Sequence, residues 1–518
     1  MSTHFATKTG RVAAGGSLLV GGVAGALFLA PQAGAATTYT VTNTNDSGAG
    51  SLRQALDDAN NNAGADIIVF DASASGTITL TTGQLDIFDD VTITGLGATN
   101  SIISGNNASR IFYIYNAAAS LTVSISGLTM TDGSSGVGGA IVNWGNDLTL
   151  SSVVLTGNEA TDDGGAIHNE IPGSGNGRYA PLTIIDSEIS NNTAVSNGGG
   201  FSVFFAGDVT ITDTVVTGNT SDNRGGGGYF YKVRDVSIVN SSFQNNDVTD
   251  VGGGVSFLYA DNISIDSSTF DQNSAVLNGG GVFAVYSDSF TMTNSTVSGN
   301  QGSDGAGMKL AYNGDVLIAN STIANNIGAA NGSDGGALYL SGSSGDLRIM
   351  FSTISGNSSE DTVVRLFVDS QFTAEITGTI ISDNMTQGAS GTEAEDLYLG
   401  TNSSFTVTNS LVMGTTSGAA FTDGGGNIFG VSAQLGALAD NGGSTFTMEP
   451  ADGSPVIDAG PLTWTAFTGD GFDQRGGAFV RVYNGQSDMG ALEVQPEPVE
   501  PTTTMTAGTD PMVPAFTG

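Results

Sequence analysis

The 518-residue chain predicts an all-β fold, a right-handed parallel β-helix of about 12–13 coils with a short N-terminal capping helix. Three observations carry this. Asn192, Asn219, Asn246, Asn273 and Asn300 recur every 27 residues, and Asn326 follows 26 residues later. An apolar residue stands three before each: Ile189, Val216, Phe243, Phe270, Val297 and Ile323. Glycine pairs follow the first four, at Gly198-Gly199, Gly225-Gly226, Gly252-Gly253 and Gly279-Gly280. A fixed period of this length marks an array that grows in one direction without a single globular core.

Each unit offers three strand slots. One is the Ser-x-apolar run before the Asn. A second follows the glycines, at 201–204, 229–231, 255–258 and 282–285. A third precedes the next Asn and alternates with period two, as in Val209 and Ile211, Val236 and Ile238, Ile263 and Ile265. Three short strands per period make one coil, and coils stacked at strand spacing give a rod of roughly 60 Å. Identical residues then form columns. Asn158, Asn192, Asn219, Asn246, Asn273, Asn300 and Asn326 form an amide ladder, and the glycines permit positive φ at a corner. Asn158 lies 34 residues before Asn192, the excess falling in a loop at Pro172–Pro181. Asn357 and Asn384 continue the column, and at Ser410–Met413 the Asn is lost.

The ends differ from the array. Residues 1–36 read as a signal peptide: Lys8 and Arg11, then a small apolar run, Pro31, and an Ala33-Gly34-Ala35 cleavage site. Residues 37–75 form an N-terminal cap, in which Ser51 caps a helix from Leu52 to Asn60 with Leu52, Ala55, Leu56 and Ala59 on one face. Residues 76–435 hold the coils, 436–494 a C-terminal closing module, and 495–518 a Pro- and Thr-rich disordered tail. The tail has no apolar span of the ~20 residues a bilayer requires. No integral membrane span is expected in the mature chain, which is placed outside the cell or on its surface.

The chain carries 77 glycines, no cysteine and a formal charge of −37. Without the signal segment it holds eleven basic against 50 acidic residues. That excludes a general electrostatic attraction to nucleic acid or anionic lipid, and no cysteine means no disulfide and no thiolate metal site. A solvated acidic surface is the plain account of the charge.

Thr42–Asp46, Gly50–Leu56, Ala59-Asn60 and Gly64–Phe70 resemble the CSLREA domain that opens many exported bacterial β-helix proteins, with Ser51 at that motif's cysteine and Gln54 at its glutamate. The resemblance implies export and makes Arg53 a buried or half-buried anchor. Gly164–Ile167, Gly335–Leu338, Phe243–Asn246 and Phe270–Asn273 resemble the polymorphic outer membrane protein repeat, which implies a pectin-lyase-like fold. Leu438–Thr447, Gly453–Gly460, Asp473–Gly476, Arg481 and Asp488–Glu493 resemble the choice-of-anchor Q domain. That domain sits between a surface β-helix and a variable anchor.

Parallel β-helices host polysaccharide lyases and hydrolases, but this chain offers them little. The mature part holds one histidine, His168, and two lysines, Lys232 and Lys309. His168 falls in a strand slot, where it reads as structural. Arg224, Tyr229, Tyr231, Lys232 and Arg234, with Tyr259 and Tyr286 in the column of Lys232, form an aromatic and basic strip. The strip binds a glycan by stacking and hydrogen bonds, or serves only as a surface ladder. Asp162, Asp163, Asp222, Asp250 and Asp304 lie in the turns after the Asn column and are candidate calcium ligands, or solvated turn acids. No cofactor is required on this reading. Asp458, Asp473 and Arg475 read as a structural ionic group. The favoured function is a secreted or surface-displayed scaffold, adhesive or glycan-binding and without catalysis. The rivals are a lyase or hydrolase of acidic polysaccharide, and a structural surface or matrix protein.

Overall fold

The computed structural model describes residues 36–495 except 119, 173–179, 329–333, 369–372, 387–394, 401–403 and 419. The signal segment, most of the loop at Pro172–Pro181 and nearly all of the tail lie outside these residues.

The cap is built around one short helix. Strands Thr38–Val41 and Asp66–Phe70 pair in parallel, and helix α1 (Leu52–Asn61) lies between them in sequence. The Ser51 hydroxyl oxygen accepts the Gln54 N–H at 3.2 Å, which satisfies one of the free donors of the first turn. Leu52, Ala55, Leu56 and Ala59 are all buried and belong to the same core as the coil interiors. Arg53 ties the opposite side of the helix to a loop, donating to the carbonyls of Gly83 (2.7 Å) and Gln84 (2.6 Å) and to the Asp46 carboxylate (2.7 Å). Partial burial pushes the Asp46 carboxyl up. Bonds from Arg53, Thr81 and Thr82 outweigh this and hold it well below the usual carboxylate range.

The coils stack into four parallel sheets. In chain order within a coil these are sheet I (15 strands), sheet II (14), sheet III (10) and sheet IV (13). One coil runs Val209–Thr212, Val215–Thr217, Thr220–Ser221 and Gly228–Tyr231. Sheet III is a fourth strand slot beyond the three expected. Its strands have two residues each, such as Thr193–Ala194 on Thr220–Ser221, directly after the ladder Asn. Two residues are too few to register as an alternating pattern.

Every ladder Asn is buried. Asn219 Nδ2 donates to Asn246 Oδ1 (3.0 Å) and to Ile189 O (2.9 Å). Asn219 Oδ1 accepts both the backbone N–H and Nδ2 of Asn192, at 3.0 and 2.9 Å. Two donors and two lone pairs are thus all used, which is why an amide can sit in the core. The same links run on through Asn326, Asn357 and Asn384. A second ladder joins hydroxyls to the next backbone: Thr214, Ser241 and Ser268 N–H groups donate to the Oγ atoms of Ser241, Ser268 and Ser295.

The glycines answer two different needs. Gly225 has φ +67°, while a Cβ on Gly226 would lie 2.5 Å from the Gly253 carbonyl oxygen of the next coil. The first position needs the conformation and the second the close approach.

After the strand Ile428–Phe429 the chain forms its antiparallel pair, Leu435–Ala439 with Thr447–Pro450. The residues from 435 onward make up the C-terminal module. It folds back over the outer flank of sheet II. Thr296, Thr322, Thr353, Ile380 and Leu411, one outward column of that sheet, are buried beneath it, whereas Val215 in the same column is exposed. Their hydroxyls hold it: Thr296 Oγ1 donates to Phe446 O, Thr322 Oγ1 to Gln474 Oε1 (both 2.6 Å), and Thr353 Oγ1 accepts from Ala491 N (3.0 Å). Inside, Asp473 and Arg475 form a buried ion pair at 2.7 Å, and the Arg475 guanidinium lies 3.7 Å from the centre of the Phe479 ring. The Asp458 N–H donates to the Asp488 carboxylate at 2.6 Å.

Candidate functional site

The outer face of sheet IV gathers the aromatic surface of the molecule. Nine of the 12 tyrosines stand on it or at its edge: Tyr113, Tyr115, Tyr229, Tyr231, Tyr259, Tyr286, Tyr312, Tyr339 and Tyr398. Strand alternation sends side chains of this sheet to opposite faces, and these are on the solvent side.

At the corner after each sheet IV strand the chain takes a left-handed turn. Phe205, Lys232, Tyr259, Tyr286 and Tyr312 occupy that corner in successive coils, with φ of 54°, 53°, 58°, 61° and 54°. The other left-handed corners are filled mostly by small or amide residues, such as Asp213, Asn240 and Ser267 after sheet I, or Gly218, Asn245 and Gly299 after sheet II. Bulky side chains avoid this conformation, at a cost of order 1 kcal/mol or more each.

Tyr259, Tyr286 and Tyr312 form a stack. Ring centroids are 4.9 and 5.1 Å apart and the planes differ by 7° and 12°. The three are nonetheless 43%, 45% and 56% exposed. Their faces cover one another, so the solvent meets ring edges and hydroxyls. The strip therefore differs from the expectation of sugars stacked on ring faces. Lys232 ends the row on one side, its Nζ 5.2 Å from the centroid of Tyr231, 5.5 Å from Phe205 and 6.0 Å from Tyr259. Gly342 ends it on the other, where a Cβ would lie 2.7 Å from Tyr312.

Tyr229, Tyr231, Lys232, Tyr259 and Tyr286 are thus brought together. Arg224 joins them at the rim, its charge acting on the Tyr229 phenol and its Nε 3.9 Å from Asp250. Burial pushes the Tyr229 phenol up, and Arg224 offsets part of this. Arg234 is turned away to the next face, paired with Asp208 at 2.5 Å and Asp235 at 3.4 Å. Tyr312 was missed because its coil is shortened by one residue, though it keeps the same corner.

A second outward column alternates cations and rings. Lys309 Nζ lies 3.0 Å from Asp304 and 4.7 Å from the Tyr339 centroid. Arg365 pairs with Asp334 and lies 4.8 Å from the Tyr398 centroid. His168 stands in the same column five coils before Lys309, buried between Trp144 and Phe204, with Nδ1 2.9 Å from Ser202 Oγ and Nε2 3.2 Å from Glu170.

The five turn acids are not brought together. Asp163 and Asp304 share a column with four coils between them. Asp163 binds Asn197, Asp250 faces Arg224 and Asp304 faces Lys309. The backbone carbonyls of Asp162 and Asp222 accept from the next coil. Among the described residues no three acidic or histidine side chains are grouped so as to hold a metal ion.

Away from this face, a cleft of about 530 Å³ lies on the outer surface of sheet I, with Thr465 of the flank segment on its wall. Asp315, Asp346, Arg348 and Glu375 line it. Asp315 and Asp346 are occupied in accepting backbone N–H groups from Asp346 and Thr373.

The model of the right-handed β-helix region matches residues 170–347, the coils that carry most of the tyrosine face. The fold is a right-handed parallel β-helix of about 13 coils, as expected. Among solved structures, the crystal structure of pectate lyase Pel9A matches 89% of this chain and 98% of its own, at 12% identity and a TM-score of 0.34. No curated protein matches the chain. No helix among the described residues is long and apolar enough to cross a membrane.

Proposed function

We propose that this protein is an exported, surface-displayed scaffold that binds glycans without catalysis, through the outer face of sheet IV. The observation that carries the reading is the row Tyr259, Tyr286 and Tyr312, each exposed and each at a left-handed corner. A ladder serving only the stack would be built more cheaply from Asn or Gly, as at the neighbouring corners. Stacking returns about 0.5–1.5 kcal/mol per pair, comparable to the backbone cost, so stability gives no net reason to keep three rings there. Binding does. The cations nearby support a non-catalytic role: Arg234 and Lys309 are each paired with acids, and Lys232 is spent on rings.

The test is affinity electrophoresis of the mature chain on a panel of polysaccharides, beside a variant with Tyr259→Asn, Tyr286→Asn and Tyr312→Asn. Asparagine accepts the left-handed corner, so the fold is kept while the rings are lost. Retardation by at least one polymer, abolished in the variant, is expected. Equal retardation of both proteins overturns the reading. The cleft with Arg348 and Glu375 favours a second reading, a lyase or hydrolase of acidic polysaccharide. Release of unsaturated or reducing sugar, lost on Arg348→Ala, would establish it.

A further inference from the structure

We propose that the ligand of the tyrosine row is an extended amino-sugar polymer lying along the solenoid axis, one sugar per coil. The inference rests on the glycan-binding reading above and specifies its substrate.

Orientation follows from the stack. Ring centroids repeat at 4.9 and 5.1 Å along the axis, so the hydroxyls form a row with the period of the coils. None of the three hydroxyls has a hydrogen-bond partner among the described residues. A row of free donors and acceptors, one per coil, matches an extended, equatorially linked pyranose chain, which advances one sugar per similar step. A coiled or branched polymer places its hydroxyls out of phase after one or two coils. The covered ring faces give a single sugar no platform to stack on, so recognition is distributed over several coils.

Charge selects the monomer. Asp261 and Asp288 follow Tyr259 and Tyr286 by two residues, are exposed, and stand in adjacent coils. Among the described residues neither carboxylate is in an ion pair, and the Arg234 charge, which acts on Asp261, is itself paired with Asp208 and Asp235. Asp261 and Asp288 repeat with the coils as the rings do, two residues further along the chain, and partial burial and the Asp288 charge push the Asp261 carboxyl up, in a chain of net charge −37. A uronate polymer would set its carboxylates against this row, and a protonated amino sugar would set an ammonium there.

The experiment is titration calorimetry of the mature chain with glucosamine oligomers and cello-oligomers from dimer to hexamer, and with oligogalacturonates, at low salt. Affinity for the glucosamine series is expected to rise about tenfold from dimer to tetramer and then level off. The tetramer is expected to bind about threefold tighter than its neutral counterpart, a margin lost in Asp261→Asn/Asp288→Asn. Oligogalacturonates are expected not to bind. Affinity independent of length, or a preference for neutral or uronate oligomers, overturns the inference. If polymer binding disappears in the triple asparagine variant while length or charge dependence is absent, only this inference fails. If polymer binding survives in that variant, the glycan-binding reading fails as well.

Discussion

Arg481 donates to Asn320 Oδ1 at 2.8 Å across 161 residues of chain, and so fastens the flank segment to a coil corner of the solenoid. Its other bonds go to the carbonyls of Gly490 (2.9 Å) and Ala491 (3.1 Å), and its guanidinium lies 4.7 Å from the Phe351 centroid. The side chain is buried, with Asp473, Glu493 and Asp488 as the surrounding negative charge. Arg481→Met removes all these bonds and is expected to cost about 3 kcal/mol. The coils have their own continuous core, so the loss should fall on residues 435–495 alone. Limited proteolysis should release that segment from a folded solenoid. A single unchanged unfolding transition would count against the arrangement.

The amide ladder gives a graded expectation. Asn246→Ala strands the Asn219 amide donors and the Val216 carbonyl, at about 3 kcal/mol. Asn246→Asp should be worse at neutral pH. It buries a carboxylate and turns an oxygen toward Asn273 Oδ1, which the Nδ2 group now meets at 2.9 Å. Chemical denaturation of the two variants checks the order.

At the tyrosine corner stability and binding should part company. Tyr286→Asn trades ring stacking for relief of the left-handed turn, so its stability should stay within about 1 kcal/mol of the parent. Tyr286→Val loses the stack and places a β-branched residue at φ 61°, and should melt lower than Tyr286→Asn. The reverse order of melting temperatures would remove the strain argument for a functional row.

Burial pushes the Glu493 carboxyl up to about 7, from an ordinary value of 4.5, with bonds from the Asp488 and Tyr483 N–H groups opposing. The folded segment holds this proton where the unfolded chain has lost it. Its contribution to stability is therefore complete below about pH 4.5 and is lost as pH rises through about 7. Protease resistance of the flank segment should fall between pH 5 and pH 8, and Glu493→Gln should flatten that dependence. Resistance that rises over this interval would contradict the assignment.

Much of this was readable from residue order, because a solenoid turns distance along the chain into columns in space. Asn219 and Asn246 are 27 residues apart and their amides meet at 3.0 Å, so period alone placed the ladder, the apolar interior and the glycine corner. The capping helix followed from Ser51 and the spacing of Leu52, Ala55, Leu56 and Ala59. Tertiary structure decided the rest. The two-residue strands of sheet III exist only through their neighbours in adjacent coils. Backbone φ at Tyr259 and Tyr286 is imposed by the corner, against the preference of the residue, so composition alone does not reveal it. The placement of residues 435–495 on the flank of sheet II depends on Arg481 meeting Asn320 and Gln474 meeting Thr322, contacts across 161 and 152 residues with no period to announce them.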